Sequence, residues 1–439
     1  MKHSFTKVQV IIASVATVVS LAYSGYIEPP LNVDAKAHNR IAVNISEGNG
    51  YVEHVPFDPQ FDQAITRSGP LLEYFMAGIY VLFGMHVGYI WIAHALLHGL
   101  STLLVFSIIR MLFKEEPYAD KAALYGSLLY ALYPDLIEST SQLMTETSYF
   151  FLILLTVYLF ISYLHTRTRV ILILFSIVYG LTFLSKSTSL LYYPVILGYI
   201  FYKNRIHALL SLLIVLAVVS PWVIRNYVVF DKFIPSRIFA DYTLYVGNHH
   251  GASGENDIEA LPEPKQILTE KGVFAVDEYS HTKFIQFVTT HPFEYIGLHF
   301  RRLSIYFSWL RPTGHWGYLT DTERLLTFGS SGLFSVLVFT FGFAGLVYSA
   351  LTRKLDTLLV VTLTLITPVS FILTLVETRY RYQIYPFLSI FAGYAIAKLM
   401  YKGEGISRMR LITAISFVVL LLNSLVDLGL NYSRFIALL

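Results

Sequence analysis

The chain has 439 residues, 55% of them hydrophobic and only 14% charged, with a mean hydropathy of +0.57. A soluble domain carries about 25% charged residues, so this composition excludes a globular protein with a polar surface and calls for lipid as solvent. The net charge of +3 is too small to point to nucleic acid as a partner, and the absence of cysteine excludes disulfides, thiolate nucleophiles and cysteine metal sites.

The first apolar run, 8–26, follows Lys2 and Lys7. A basic start and an apolar middle also describe a secretory leader. This run is nearly long enough to span, is followed by further spans and lacks a small-x-small cleavage site, so it reads as a membrane helix. The further spans fall at about 87–113, 121–139, 142–164, 170–185, 188–202, 206–223, 327–351, 355–376, 383–399 and 410–430. The short 170–185 and 188–202 runs are expected to form a tilted hairpin. Backbone polar groups must be satisfied within hydrocarbon, so the spans are helices. The expected fold is an all-α polytopic membrane protein with about eleven transmembrane helices.

Charge sets the orientation. With the N-terminus inside, the inner loops hold Arg110, Lys114 and Lys121; Arg167 and Arg169; Lys203 and Arg205; Arg353 and Lys354; and Lys398, Lys402, Arg408 and Arg410. That positive-inside pattern places the C-terminus outside. Two long segments, 27–87 and 226–327, then lie on the outer face. Ala37, Ile41 and Ile45 repeat every four residues, and Phe293, Ile296, Phe300, Leu303 and Phe307 repeat at three and four. Both patterns predict amphipathic helices along the membrane surface. His291-Pro292 opens the second helix, and 247–264, rich in Gly, Asn, Asp and Pro, reads as a loop.

The positive-inside rule is broken in one informative way: Arg67, Lys186, Arg225, Arg379 and Arg381 all fall at outer ends. Cations gathered on that face suit an anion at headgroup depth, such as a phosphate. Separate snorkelling to the headgroups is the plainer reading for any one of them. Asp34 opens the first outer helix, where a carboxylate suits an N-cap and equally a general base. Glu146 stands at the outer start of a span, a costly place for an acid. Ser220-Pro221-Trp222-Val223-Ile224-Arg225-Asn226 ends another span, so that Arg225 and Asn226 emerge outside. Asn248 lies in Gly247-Asn248-His249-His250. Adjacent histidines point apart, so this run favours a loop over a metal site.

In order, Val33-Asp34-Ala35, Gly48-Asn49-Gly50-Tyr51, Arg67-Ser68-Gly69-Pro70, Tyr133-Pro134, Thr145-Glu146, Leu184-Ser185-Lys186, Pro221-Trp222-Val223-Ile224-Arg225-Asn226, Gly247-Asn248 and Glu377-Thr378-Arg379-Tyr380-Arg381 resemble the C-type (GT-C) glycosyltransferase superfamily. The resemblance is to glycosyltransferase family 39, with the protein O-mannosyltransferases and aminoarabinose transferases, and runs from about residue 10 to 400. It implies an inverting transferase that moves a sugar from a polyprenyl-phosphate carrier to an acceptor hydroxyl on a glycan, lipid or protein, on the extracytoplasmic side of the plasma (inner) membrane. It implies Asp34 as base and Arg67 and Lys186 on the carrier phosphate, with Arg225, Arg379 and Arg381 added by position. Glu146, Asn226 and Asn248 are expected to support the site. The chain departs from the pattern where many members have Asp-Glu, at Asp34-Ala35, and where they have a basic-Pro-Pro run, at Arg67-Ser68-Gly69-Pro70. Some aminoarabinose transferases hold a divalent metal near this loop, but no clear ligand set stands in the sequence and no cofactor is assigned. Residues 1–400, including both outer segments, are expected to form the catalytic module, with 401–439 as a final helix and tail. The competing readings are a polymerase or ligase using a diphosphate-linked donor, and a transporter or flippase.

Overall fold

The computed structural model describes residues 2–311, 319–352, 354–401 and 403–432; Arg353 and Lys402 of the expected inner loops lie outside these ranges. The described residues form helices and connecting turns, with no strand among them. Seven helices are long and apolar enough to cross a bilayer. They are α1 (Lys2–Ile27), α4 (Val87–Leu112), α7 (Thr145–Thr166), α10 (Arg205–Phe230), α15 (Asp321–Thr352), the broken helix formed by α16 (Leu355–Ile366) and α17 (Val369–Leu373), and α19 (Ile406–Leu430). The chain is a multi-pass integral membrane protein.

The other four expected spans are shorter than the roughly twenty residues a straight crossing needs, so length gives seven among the described residues rather than eleven. Pro134 divides 121–139 into α5 (Ala119–Ala131) and α6 (Pro134–Ser141). The 170–202 hairpin is α8 (Arg169–Ser185) and α9 (Tyr193–Lys203), joined by a 3-10 turn at Ser187–Tyr192. The last is α18 (Tyr385–Met400), which opens with Pro386 in its first turn.

α18 is sandwiched between α5 and α15 and is buried along almost its whole length. Stacked rings line this seam: Tyr133 on Tyr385 at 4.3 Å and Phe113 on Tyr394 at 4.0 Å between centroids. The α5–α18 crossing is so close that a Cβ on Gly393 would sit 2.4 Å from the Ala122 carbonyl oxygen and the Gly126 nitrogen. Small residues allow such approach where water supplies no hydrophobic drive.

The outer segments fold onto the bundle. The first contains α2 (Val33–Ser46) and α3 (Leu71–Phe83). The α2 stripe does not face lipid as the pattern predicted: Ala35, Ala37, Ile41 and Ala42 are fully buried, and Ala35 and Ala42 pack with Leu72, Met76 and Tyr80 of α3. A four-residue repeat marks a buried face but does not name what buries it. The second segment contains α11 (Ala240–Gly247), α12 (Pro262–Lys271), α13 (Val273–Thr290) and α14 (Pro292–Phe307). α14 is amphipathic along the predicted stripe. Phe293, Ile296, Phe300 and Leu303 are exposed along one side, and Leu298, Arg302, Ile305 and Tyr306 are buried on the other. α10 runs on through Pro221 to Phe230, so Arg225 and Asn226 are helical rather than emerging at residue 223. α19 is fastened to this outer layer: Arg311 grips Asp427 with two bonds of 2.7 Å, and Asn423 donates to the Ser304 carbonyl at 2.9 Å.

Gly393→Leu should lower stability by about 1–3 kcal/mol through overpacking, read as a reduced unfolding midpoint in detergent. Gly297→Ala, with nothing within 4 Å of its new Cβ, should leave the midpoint unchanged or raise it.

Candidate active site

Asp34 is the second residue of α2, and Asn32 takes the capping role instead, accepting from the Ala35 nitrogen at 2.8 Å. The Asp34 carboxylate is therefore free of the helix end and reaches across the chain. It accepts from Arg379 at 3.0 Å and lies 3.6 Å from Arg67. Arg379 also donates to Glu377 at 2.7 Å. Arg67 forms a two-pronged pair with Glu53, with bonds of 2.9–3.2 Å, and Arg40 closes on the same carboxylate. Lys186 donates to Glu146 at 3.0 Å and stands 5.9 Å from the centroids of the Tyr149 and Tyr380 rings. Arg379 lies over the same Tyr380 ring at 5.5 Å.

Local structure explains how these residues meet. Asp62 accepts from the backbone nitrogens of Glu53, His54 and Ala64 at 2.8–2.9 Å and folds the 53–64 loop beneath Arg67. Gly69 presses that segment onto the end of α8: a Cβ there would sit 1.8 Å from the Leu184 carbonyl oxygen, two residues before Lys186. Only a residue without a Cβ admits this contact. One turn after Asp34 on α2, His38 bonds Glu73 of α3 at 2.6 Å, both buried.

Of the nominated residues, Asp34, Arg67, Lys186, Glu146 and Arg379 join this network. The four others make their contacts elsewhere. Arg225 donates to the Tyr51 carbonyl at 2.7 Å and stacks among Tyr51, Trp222 and Phe230. Asn226 is buried and ties α10 to the Ile234 carbonyl at 2.9 Å. Arg381, also fully buried, reaches the Arg311 carbonyl and lies 5.2 Å from the Phe339 ring centroid. It falls in the same short 3-10 turn as Arg379 but faces the bundle core. Asn248 bonds Arg302 at 2.9 Å and the Leu244 and Thr374 carbonyls, and Arg302 also caps the Gly247, Gly254 and Ile372 carbonyls. This pair fixes the outer loop to α14 and α17.

The sequence reading missed Arg237. It sits in the loop after α10, within electrostatic reach of Asp34, Tyr380 and Lys186. It makes no hydrogen bond or ion pair among the described residues. Burial pulls its pKa below the ordinary arginine range, opposed by Tyr380, Asp34 and Asp277. A screen of span ends could not flag a cation inside a long outer segment. Glu53 and Glu377 acquire their roles as counter-ions only through the fold, since Glu53 meets Arg67 across a loop and Glu377 has no mark that sets it apart in the sequence.

Exposure separates the carboxylates. The Asp34 side chain is 35% exposed, against 3% for Glu53 and Glu146 and 20% for Glu377. Burial raises the Asp34 pKa, but Arg379, His38 and Arg67 outweigh it and hold the group below its ordinary 3.8. Burial likewise raises Glu53, and Arg67 with Arg40 brings it below 4.5. The site is an open carboxylate at the rim of a cationic, aromatic-floored cluster.

Comparison with known proteins bears on this arrangement. The model of a family described as dolichyl-phosphate-mannose-protein mannosyltransferase matches residues 67–224, from Arg67 through Lys186 to α10. Among solved structures the chain is similar to ArnT from Cupriavidus metallidurans bound to undecaprenyl phosphate, with 14% identity, 98% of this chain and 73% of that one covered, and a TM-score of 0.55. The chain has the GT-C fold. The GT-C likeness extends to the Archaeoglobus fulgidus oligosaccharyltransferase in its apo form (16% identity, 100% and 56% covered, TM-score 0.55). It holds equally for that enzyme's complex with Zn and sulfate (16% identity, 97% and 52% covered, TM-score 0.52). The chain thus spans only about half the length of the oligosaccharyltransferase. No curated protein matches it by sequence.

Because Asp34 and Glu53 are depressed in the fold, their contribution to stability is present above the ordinary carboxylate range near pH 4 and is lost as pH falls through their lowered values. The unfolding midpoint in detergent should therefore drop on acidification below about pH 4. An Asp34→Asn, Glu53→Gln double variant should show a flatter pH dependence.

Proposed function

We propose that the chain is an inverting glycosyltransferase that uses a polyprenyl-phosphate sugar at the outer face of the plasma (inner) membrane. The observation that carries this reading is Asp34: the most exposed carboxylate of the network, held by Arg379 and Arg67 beside the uncommitted Arg237. The fold supports it, since the undecaprenyl-phosphate complex of ArnT shares it. The orientation is supported by charge. Arg110–Asp120, Lys354–Glu115 and His165–Asp356 gather where the inner loops are expected, away from the Asp34 network.

The acceptor oxygen attacks the anomeric carbon as its proton passes to Asp34. The bond from that carbon to the phosphate oxygen breaks, and its electron pair stays on the carrier phosphate. A lipid phosphate leaves without a strong general acid, so the work falls on cations that stabilise its growing charge in a low-dielectric site. Arg237 is placed for this role. Arg67 and Lys186, the residues implied by family resemblance, already neutralise Glu53 and Glu146. In this reading they hold the site's shape, and Arg379 is shared between Asp34 and the donor. As the donor phosphate draws Arg379 away, Asp34 loses its strongest counter-ion and its pKa rises toward the range of a working base.

Asp34→Asn should leave the protein inserted and folded and cut turnover by at least about a hundredfold. Arg237→Ala should cost about 10²–10³ in rate, and Arg225→Ala should lower stability more than turnover. Consumption of radiolabelled polyprenyl-monophosphate sugars by the purified protein, with diphosphate-linked sugars in parallel, is the assay. Undiminished turnover in Asp34→Asn would remove the proposed base, and consumption of diphosphate donors alone would favour the ligase reading.

A further inference from the structure

At the corner between α13 and α14, three side chains converge from separate stretches of the second outer segment. His250 lies in the loop after α11, His291 between the two helices and Glu294 in the first turn of α14. One ligand atom from each lies within 4.8 Å of the other two. His250 Nδ1 is 2.9 Å from a Glu294 oxygen, and the His250 and His291 ring centroids are 5.0 Å apart. The neighbouring histidines do point apart, as expected for adjacent residues: His249 turns toward Asp257 at 3.7 Å. His250 instead finds its partners about forty residues on, where a sequence search for paired histidines does not look.

We propose that His250, His291 and Glu294 form a binding site for a divalent transition metal, zinc by ligand chemistry, that pins the outer loop to the α13–α14 corner. Two imidazoles and a carboxylate are a zinc donor set, whereas calcium and magnesium prefer all-oxygen sites. Zinc bonds of about 2.0–2.2 Å put tetrahedral ligand atoms roughly 3.3–3.6 Å apart, so the cluster needs only a small closing rotation. The His250 side chain, 77% exposed, is free to make it. Supporting contacts that orient metal ligands are already in place. His291 Nδ1 is bonded to the Thr290 hydroxyl at 2.8 Å, leaving Nε2 for the metal. The other Glu294 oxygen accepts from the Gly251 nitrogen at 2.7 Å. Phe287 backs the His291 ring at 5.8 Å.

The pinned loop leads toward the Asp34 network. A few residues beyond His250, Asn256 donates to Glu377 at 2.6 Å, and Glu377 holds Arg379. A metal at the corner restrains the strand of chain that supplies this outer support. The inference stands on the geometry of the corner and does not depend on the transferase reading.

The test is zinc binding to the full-length, tag-free protein in detergent, stripped with chelator and titrated against a chromophoric competitor. Wild type and His249→Ala should each bind one equivalent. His291→Ala and Glu294→Gln should weaken it roughly a hundredfold. Zinc should raise the unfolding midpoint of wild type and leave that of Glu294→Gln unmoved. Because His250 and His291 are exposed, Glu294 is half-buried and the Gln side chain can still accept from the Gly251 nitrogen, both variants should unfold near the wild-type midpoint without metal, which keeps a folding defect apart from loss of a ligand. Absence of a tight equivalent in wild type, or its retention in both variants, overturns the site.

Discussion

The pairing of Asp34 with Arg379 and Arg67 joins parts of the chain separated by as many as 345 residues. It fastens α2, the Arg67 loop and the turn before α18 into one face of the membrane protein. A charge at the edge of hydrocarbon is costly alone and tolerable when matched. That constraint accounts for the pattern around the pair, in which Glu53, Glu146 and Glu377 each sit against a cation. The network holds nearly balanced charge in the resting protein, and within it Arg237 makes no ion pair among the described residues. In the proposed reaction, a lipid-linked anion entering such a site would meet one free guanidinium and others already positioned by carboxylates. On that proposal the geometry would be set before the substrate arrives, which is the condition for electrostatic stabilisation without reorganisation.

The outer segments supply a second layer with its own logic. α14 exposes phenylalanines, an isoleucine and a leucine on one side while its opposite face buries Arg302, and that arginine collects carbonyls from three different stretches of chain. Irregular backbone near the membrane leaves carbonyls that helices would otherwise satisfy, and a buried guanidinium with five donors answers several at once. Arg311 does the same work for carboxylates, binding Asp427 of α19 and Glu255 of the loop. The metal corner proposed at His250, His291 and Glu294 would fix the remaining free edge of this loop.

Composition and the spacing of apolar runs determined that the chain lives in a membrane, that it is all-helical, and roughly where its long helices lie, because burial in lipid leaves the backbone no other spanning solution. Motif order brought Asp34, Arg67, Lys186, Glu146 and Arg379 forward, and charge distribution put them at one end of the bundle. Tertiary structure alone decided which charges pair. Arg379 and Arg381 are two residues apart in one turn, yet one meets Asp34 and the other points into the core. The Pro221 helix carries on to Phe230, so Arg225 became a structural anchor. Arg237 and the His250 cluster were illegible for the same reason. Their meaning comes from partners tens to hundreds of residues away, and a linear sequence records spacing along the chain, not distance through the fold.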